Sequence, residues 1–361
     1  MITAIALVTG IGVLAGFLLQ TRIPLLPLAT KPATESVSII VPARNEAQNL
    51  PRLLGSLPLS ADLQVSEKSS LAEAIVVNDH SSDNTAEIAA SCGAHVLNAR
   101  ELPAGWTGKT WACAQGAEAA TANWFLFLDA DTWFEPGGFE RLAAAAREHQ
   151  ALSLIPYHRT AELYEELSVF FHLLMVFGAG GFGAFGKARL FGQCMQLPRQ
   201  LYAKIGGHEA VRGSILENFV LADLIGAAGG TCSCAGGLGV LSIRMFPEGF
   251  AQLYESWTKA FADGAGGTDV IVLALAILWL ASMSSILIFL VVGGATLFPY
   301  AALCYLIFAS QMFFFARQIG SYRLFTSLAY PVPLLFFFAL FGGALVRKQR
   351  KEKSAWRGRQ V

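Results

Sequence analysis

Charge is what this sequence has least of. Asp, Glu, Lys and Arg make up 14% of its 361 residues against 54% hydrophobic residues, and acids and bases balance to a formal net charge of zero. That balance argues against a nucleic-acid binder, which needs a basic face to neutralise phosphates. The apolar excess, with a positive mean hydropathy, is too large for an ordinary soluble enzyme and too mixed for a pure channel. Paired cysteines are missing as well: the six, at 92, 113, 194, 232, 234 and 304, show no CxxC spacing of a zinc site. They read as reduced, buried small residues in a cytosolic setting. No internal repeat with a period of about 20 to 50 residues is apparent.

The scarce charge leaves long uncharged runs. Residues 2–19 (ITAIALVTGIGVLAGFLL) carry none and are long enough to cross a bilayer. They lack the positive n-region and small-residue cleavage site of a signal peptide, so 1–20 reads as an anchor. Residues 270–292 and 295–315 read as a helical hairpin and 324–346 as a third segment, with only Arg317 and Arg323 charged between 270 and 346. Residues 167–186 are also uncharged, but a crossing there splits the polar stretch in two. An interfacial helix within 167–192 is the preferred reading. Arg22 and Lys31 after the first helix place the polar stretch in the cytoplasm of a multi-pass protein of the cell membrane. Three later crossings then put the tail 347–361 outside, although RKQRKEKSAWRGRQ has seven basic residues against one Glu. Either the last segment, with Pro331 and Pro333, is re-entrant or the charge rule fails here.

The chemistry belongs to the polar stretch, about 21–268. SVSIIVP at 36–42, EAIVVND at 73–79 and WFLFLD at 124–129 read as parallel strands joined by helices, the opening of a Rossmann-like α/β domain whose ligands lie beyond the carboxyl ends of the strands. Each ends in polar groups: Ala43 to Glu46, Asp79 to Asp83, and Asp129 to Asp131. A D-x-D at a strand end sets two hard oxygen ligands where a divalent cation bridges them to a diphosphate.

VPARNEAQNL at 41–50, VVNDHSSDNT at 76–85, GKTWACAQG at 108–116 and LDADTWFEP at 128–136 resemble family 2 inverting membrane glycosyltransferases of GT-A fold, and FGQCMQLPRQLYAKIGGH at 191–208 and ILENF at 215–219 continue the likeness in order. The resemblance implies a GT-A, mixed-sheet α/β domain with one N-terminal and about three C-terminal transmembrane helices. It implies that Pro42, Asn45, Glu46, Asp79 and Asp83 line the nucleotide-sugar pocket with Lys109 and Asp129 beside it, and that Asp129 and Asp131 hold Mg2+ or Mn2+. The residue types agree, since carboxylates accept from base N–H and ribose hydroxyls and a lysine neutralises phosphate. Asp83 reads equally well as the cap of the following helix.

Related enzymes carry Glu-Asp where this chain has Glu217 and Asn218, so Glu217 and Asp131 are the expected catalytic carboxylates and no second acid stands at that motif. An acceptor that is itself a carboxylic acid needs little base. The family's Q-x-x-R-W motif is replaced by AQLYESWTKAF, leaving Trp257 and Lys259, with His208, as acceptor or diphosphate contacts; Trp257 also reads as an interfacial anchor and His208 as loop packing.

Within the family, PAGWTGKTWA, FGQCM, GGHEAVRG and the run from IRMFPEG to ESWTKAFADGAG resemble the diaponeurosporenoate glycosyltransferase type of carotenoid glycosyltransferases. The expectation is transfer of glucose from UDP-glucose, with inversion, to a membrane-resident lipid-like acceptor. A polyprenyl-phosphate, glycolipid or hopanoid-associated transferase is the neighbouring reading, and a non-catalytic glycan-binding or scaffold membrane protein the reading from another class.

Overall fold

A computed structural model describes residues 1–29, 35–59, 70–146, 148–214, 216–264, 268–349, 355–356 and 359–360. The chain forms two compact units that do not follow chain order: Pro24–Tyr157 with Ala188–Arg244 and Lys353–Val361 builds one, and Met1–Ile23, His158–Lys187 and Met245–Glu352 build the other.

The first is an α/β unit. Its elements, numbered along the whole chain, are β1 (Val37–Ala43), α2 (Leu50–Gly55), β2 (Leu71–Asn78), α3 (Thr85–Ser91), β3 (His95–Asn98), α4 (Gly108–Ala119), β4 (Trp124–Leu128), β5 (Thr132–Phe134), α5 (Gly138–Ala145), β6 (Ala151–Ile155), β8 (Cys194–Pro198), α7 (Arg199–Lys204), α8 (Glu217–Ala227), β9 (Cys232–Gly236) and β10 (Leu241–Ile243), with β7 (Tyr157–His158) at the junction. Seven strands run in the order β3-β2-β1-β4-β8-β6-β9. All neighbours are parallel except around β8, which is antiparallel to β4 and β6.

The sheet is mixed and buried on both faces, which is why its strands are near-continuous apolar runs rather than alternating ones. Val37, Ile39 and Val41 of β1 pack with Leu53 of α2 and Leu142 of α5 on one face. Ile40 packs with Ala112 and Ala117 of α4 on the other. Helix α4 sits so close that a Cβ on Gly116 would lie 2.4 Å from Ile40 Cγ2, so only glycine fits there. The three strands read from the sequence are present, and β3, short and half-exposed, extends them.

The second unit is helical: α1 (Ile2–Leu19), a 3-10 turn at Leu163–Ser168 leading into α6 (Val169–Gly180), α9 (Phe250–Gly264), α10 (Val270–Val292), α11 (Gly294–Ile319), α12 (Leu324–Leu328) and α13 (Pro331–Gln349). Among the described residues, Ile2–Leu19, Leu163–Gly180, Val270–Val292 and Gly294–Ile319 are long and apolar enough to cross a membrane, and Pro331–Ala344 is a shorter apolar helix. Small residues let α1 approach its neighbours: a Cβ on Gly12 would lie 2.3 Å from Ser282 Cβ. Gln311 ties the helices further, donating to the Val13 carbonyl at 2.8 Å and accepting from Trp279 Nε1 at 3.0 Å.

Two details differ from the sequence reading. The segment 324–346 is not one helix but α12, a break at Ala329–Tyr330, and α13 beginning on Pro331, whose missing N–H is harmless in a first turn. Residues 158–187 and 245–264, placed by the sequence in the polar stretch, cluster with the apolar helices instead. The reason is composition: α6 is a nearly continuous apolar helix, and most of it is buried. Lys31, Ile215 and most of the tail 347–361 lie outside the described residues.

Candidate active site

The parallel run β2-β1-β4 brings three strand ends to one edge of the sheet. Beyond β1 and β2 the loops are laced together. Asp79 N–H donates to the Ala43 carbonyl at 2.8 Å, the Asn45 side chain accepts from Ser82 N–H at 2.8 Å, and Glu46 N–H donates to Thr85 Oγ1 at 2.9 Å. Asp83 accepts from Ala47 N–H at 3.2 Å and Thr85 N–H at 3.1 Å, so it joins the two loops at the start of α3. Burial opposes its ionisation, but a hydrogen bond from the Thr85 hydroxyl together with these two outweighs it and holds its carboxyl below the usual range. Asn45 and His80 adopt left-handed backbone at φ 56° and 51°, a conformation uncommon outside glycine and often found at ligand-binding edges.

Asp79 and Glu46 are buried, and Pro42, the penultimate residue of β1, pairs opposite Val77. Arg44, which the sequence reading passed over, donates to the Asp79 carbonyl at 2.9 Å and lies 3.8 Å from its carboxylate. An arginine between two motif residues was the available signal.

Beyond β4 the chain turns at Asp129, whose N–H donates to the Gln193 carbonyl. The centre of the site is Lys109, second residue of α4. Its ammonium lies 2.7 Å from Asp129 Oδ1 and 3.5 Å from Glu217 Oε1, and donates to the Gly192 carbonyl at 3.2 Å. Burial alone would depress this ammonium, but the Asp129 and Glu217 carboxylates override it and hold it charged above the ordinary lysine range. Glu217, 6% exposed, begins α8; burial pushes its carboxyl up, and Lys109 offsets that only in part. Asn218 donates to the Leu190 carbonyl at 2.5 Å.

Asp129, Lys109 and Glu217, more than 100 residues apart at the extremes, are therefore in direct contact, with Asp131 two residues from Asp129. The donor set is hard oxygen, which suits Mg2+ or Mn2+. Among the described residues no third acidic, His or Cys side chain completes a protein cage, which fits a cation held by one or two carboxylates together with substrate phosphates.

His208 is 1% exposed, in a 3-10 turn. Its Nδ1 meets Tyr202 Oη at 2.9 Å and its ring meets Phe127 edge-on at 4.7 Å. Burial first, and then Lys109, push its pKa down to about 3. It is packed into the turn, with its ring buried between Tyr202 and Phe127. Trp257 belongs to the helical unit, where it stacks on Phe171 at 5.0 Å. Lys259 lies in α9, and its side chain is outside the described residues.

Comparison with known proteins agrees with this architecture. The sequence model of glycosyl transferase family 2 matches residues 38–179. The 4,4'-diaponeurosporenoate glycosyltransferase of Staphylococcus aureus strain USA300 is 31% identical over 339 residues, covering 90% of this chain and 88% of that one. Its counterpart in strain MRSA252 is 31% identical over 343 residues, with the same coverage. Among solved structures, a Pyrobaculum calidifontis mannosyltransferase in complex with GDP-mannose and Mn2+ is similar in fold, with a TM-score of 0.53 and 19% identity over 98% of this chain and 100% of that one.

Proposed function

The chain belongs to glycosyltransferase family 2 and is a hexosyltransferase, and on that premise we propose that it moves glucose from UDP-glucose, with inversion, to the carboxylate of a membrane-resident C30 apocarotenoid acid. The observation that carries the donor half is the contact of Lys109 with Asp129 and Glu217 at the carboxyl edge of β4. Pro42, Asn45, Glu46, Asp79 and Asp83 flank that edge and bind the nucleotide. Asp129 and Asp131 would hold a divalent cation, which would supply positive charge to the departing diphosphate. Lys109 contributes a second positive charge there.

The acceptor half rests on the S. aureus relatives, named for transfer to 4,4'-diaponeurosporenoate, and on Asn218 standing beside a single acid. The acceptor oxygen attacks the anomeric carbon as the bond to the diphosphate oxygen breaks. A carboxylate nucleophile is ionised near neutral pH and has no proton to lose, so Glu217 serves to place Lys109 and the acceptor rather than to take a proton from it. Helices α1, α10 and α11 hold the enzyme in the bilayer, where an insoluble acceptor is available, with the α/β unit on the cytoplasmic side among soluble donors. Purified enzyme given UDP-glucose, Mn2+ and diaponeurosporenoic acid should yield an alkali-labile glucosyl ester of β configuration. No ester, with transfer to another lipid instead, rejects the acceptor assignment.

A further inference from the structure

Lys109 stands in an electrostatically awkward place. It is the second residue of α4, in the first helical turn, where the helix dipole disfavours a cation. Three partners offset this: the Asp129 carboxylate at 2.7 Å, the Glu217 carboxylate at 3.5 Å and the Gly192 carbonyl at 3.2 Å. Those are as many partners as an ammonium has protons. Gly192 lies against both charged groups, a Cβ there falling at ordinary contact distance, 3.5 Å from the Lys109 nitrogen and 3.4 Å from Glu217 Oε1. Asp129, the carboxylate nearest the ammonium, is also one of the two proposed metal ligands.

We infer that Lys109 is a built-in counter-ion for the metal position: in the donor-free enzyme its ammonium neutralises Asp129 and keeps free divalent metal out, and it releases Asp129 when an incoming diphosphate takes the ammonium instead. The inference rests on the proposed donor site and adds an order of events to it. Metal is bound tightly only together with the nucleotide, so the enzyme does not carry a resident cation between turnovers. The diphosphate offers Lys109 a stronger partner set than a single carboxylate oxygen, and it approaches α4 from the helix end that favours anions.

The test is Mn2+ binding followed by electron paramagnetic resonance of the free ion, with no turnover involved. Wild-type protein should bind Mn2+ weakly alone and about tenfold or more tightly with UDP present. Lys109→Met, which removes the charge and keeps the length, should bind Mn2+ about tenfold more tightly than wild type without UDP, and should gain less than wild type when UDP is added, because the diphosphate still adds ligands but no longer has to release Asp129. Lys109→Arg, which keeps the charge, should stay weak without UDP. Equal Mn2+ affinity in wild type and Lys109→Met overturns the inference while leaving the donor site intact. Wild-type affinity that is the same with and without UDP overturns it even where Lys109→Met fails to fold. Wild-type protein that binds neither Mn2+ nor UDP rejects the donor site itself.

Discussion

The two units of this chain handle polarity in opposite ways. In the α/β unit apolar side chains fill both faces of the sheet and ionisable groups gather at one edge, where Lys109, Asp129 and Glu217 meet. In the helical unit large apolar side chains such as Leu7, Leu14, Val291 and Leu335 face outward, while polar groups turn inward. There His158 and His172 both reach the Tyr322 hydroxyl, at 3.1 and 3.3 Å, and Gln311 bridges α1 and α10. The contrast follows the solvent each unit meets. Water tolerates an edge of charges and penalises exposed leucine; lipid reverses both.

The largest expected effect that would break this contrast lies in the charged edge. Asp129→Ala should lower sugar transfer by about 10³-fold while leaving far-UV circular dichroism unchanged; a drop of less than tenfold would remove the site from that edge. Next come two tight glycines, one per unit. Gly116→Val drives a side chain into Ile40 and Gly12→Val drives one into Ser282. Each should cost about 1–3 kcal/mol of stability. Read by thermal unfolding in detergent, Gly12→Val should respond to a change of detergent and Gly116→Val should not.

Glu217→Gln sharpens the acceptor side. With a carboxylic acid acceptor the rate should fall by less than about tenfold, whereas a hydroxyl acceptor, which needs a general base, would lose about 10²–10⁴-fold. Measured kcat on both acceptor types separates the cases.

The smallest effect concerns Glu73, which accepts from Ser38 Oγ at 2.6 Å, Thr121 N–H at 2.7 Å and Thr121 Oγ1 at 2.6 Å. Burial raises its pKa, but these donors outweigh it and the carboxyl lies below its usual range. A depressed carboxyl stabilises the fold above its unfolded pKa and loses that contribution as pH falls through the folded value. Glu73→Gln should therefore cost about 1 kcal/mol at neutral pH and progressively less below about pH 4, checked by denaturant unfolding across pH.

Much of the α/β unit was legible because its signals are local. A β-branched run followed by polar residues marks a buried parallel strand, and β1, β2 and β4 each carried that mark. The mixed sheet followed from resemblance in ordered motifs. The contacts within the site were less legible, because they join residues far apart in sequence. Nothing in GKTWACAQG alone says that Lys109 reaches both Asp129 and Glu217, or that Arg44 reaches Asp79. His208 illustrates the opposite limit: following Gly206 and Gly207 it reads equally as an acceptor contact or as loop packing, and only its neighbours Tyr202 and Phe127, which enclose it, are informative. Most of the long apolar helices of the helical unit were legible from length and hydropathy, although 324–346 proved to be two helices. The unit's assembly from three separated stretches was not legible, because apolar composition does not say which helix a segment packs against.

Titration of UDP-glucose into the purified protein by calorimetry, with Mn2+ and then with excess EDTA, tests most directly whether the charged edge of the α/β unit is the donor site. The account predicts saturable binding that requires the metal and disappears in Asp131→Ala while a surface control, Glu118→Ala, retains it. Binding of equal strength with EDTA present and in Asp131→Ala would contradict it.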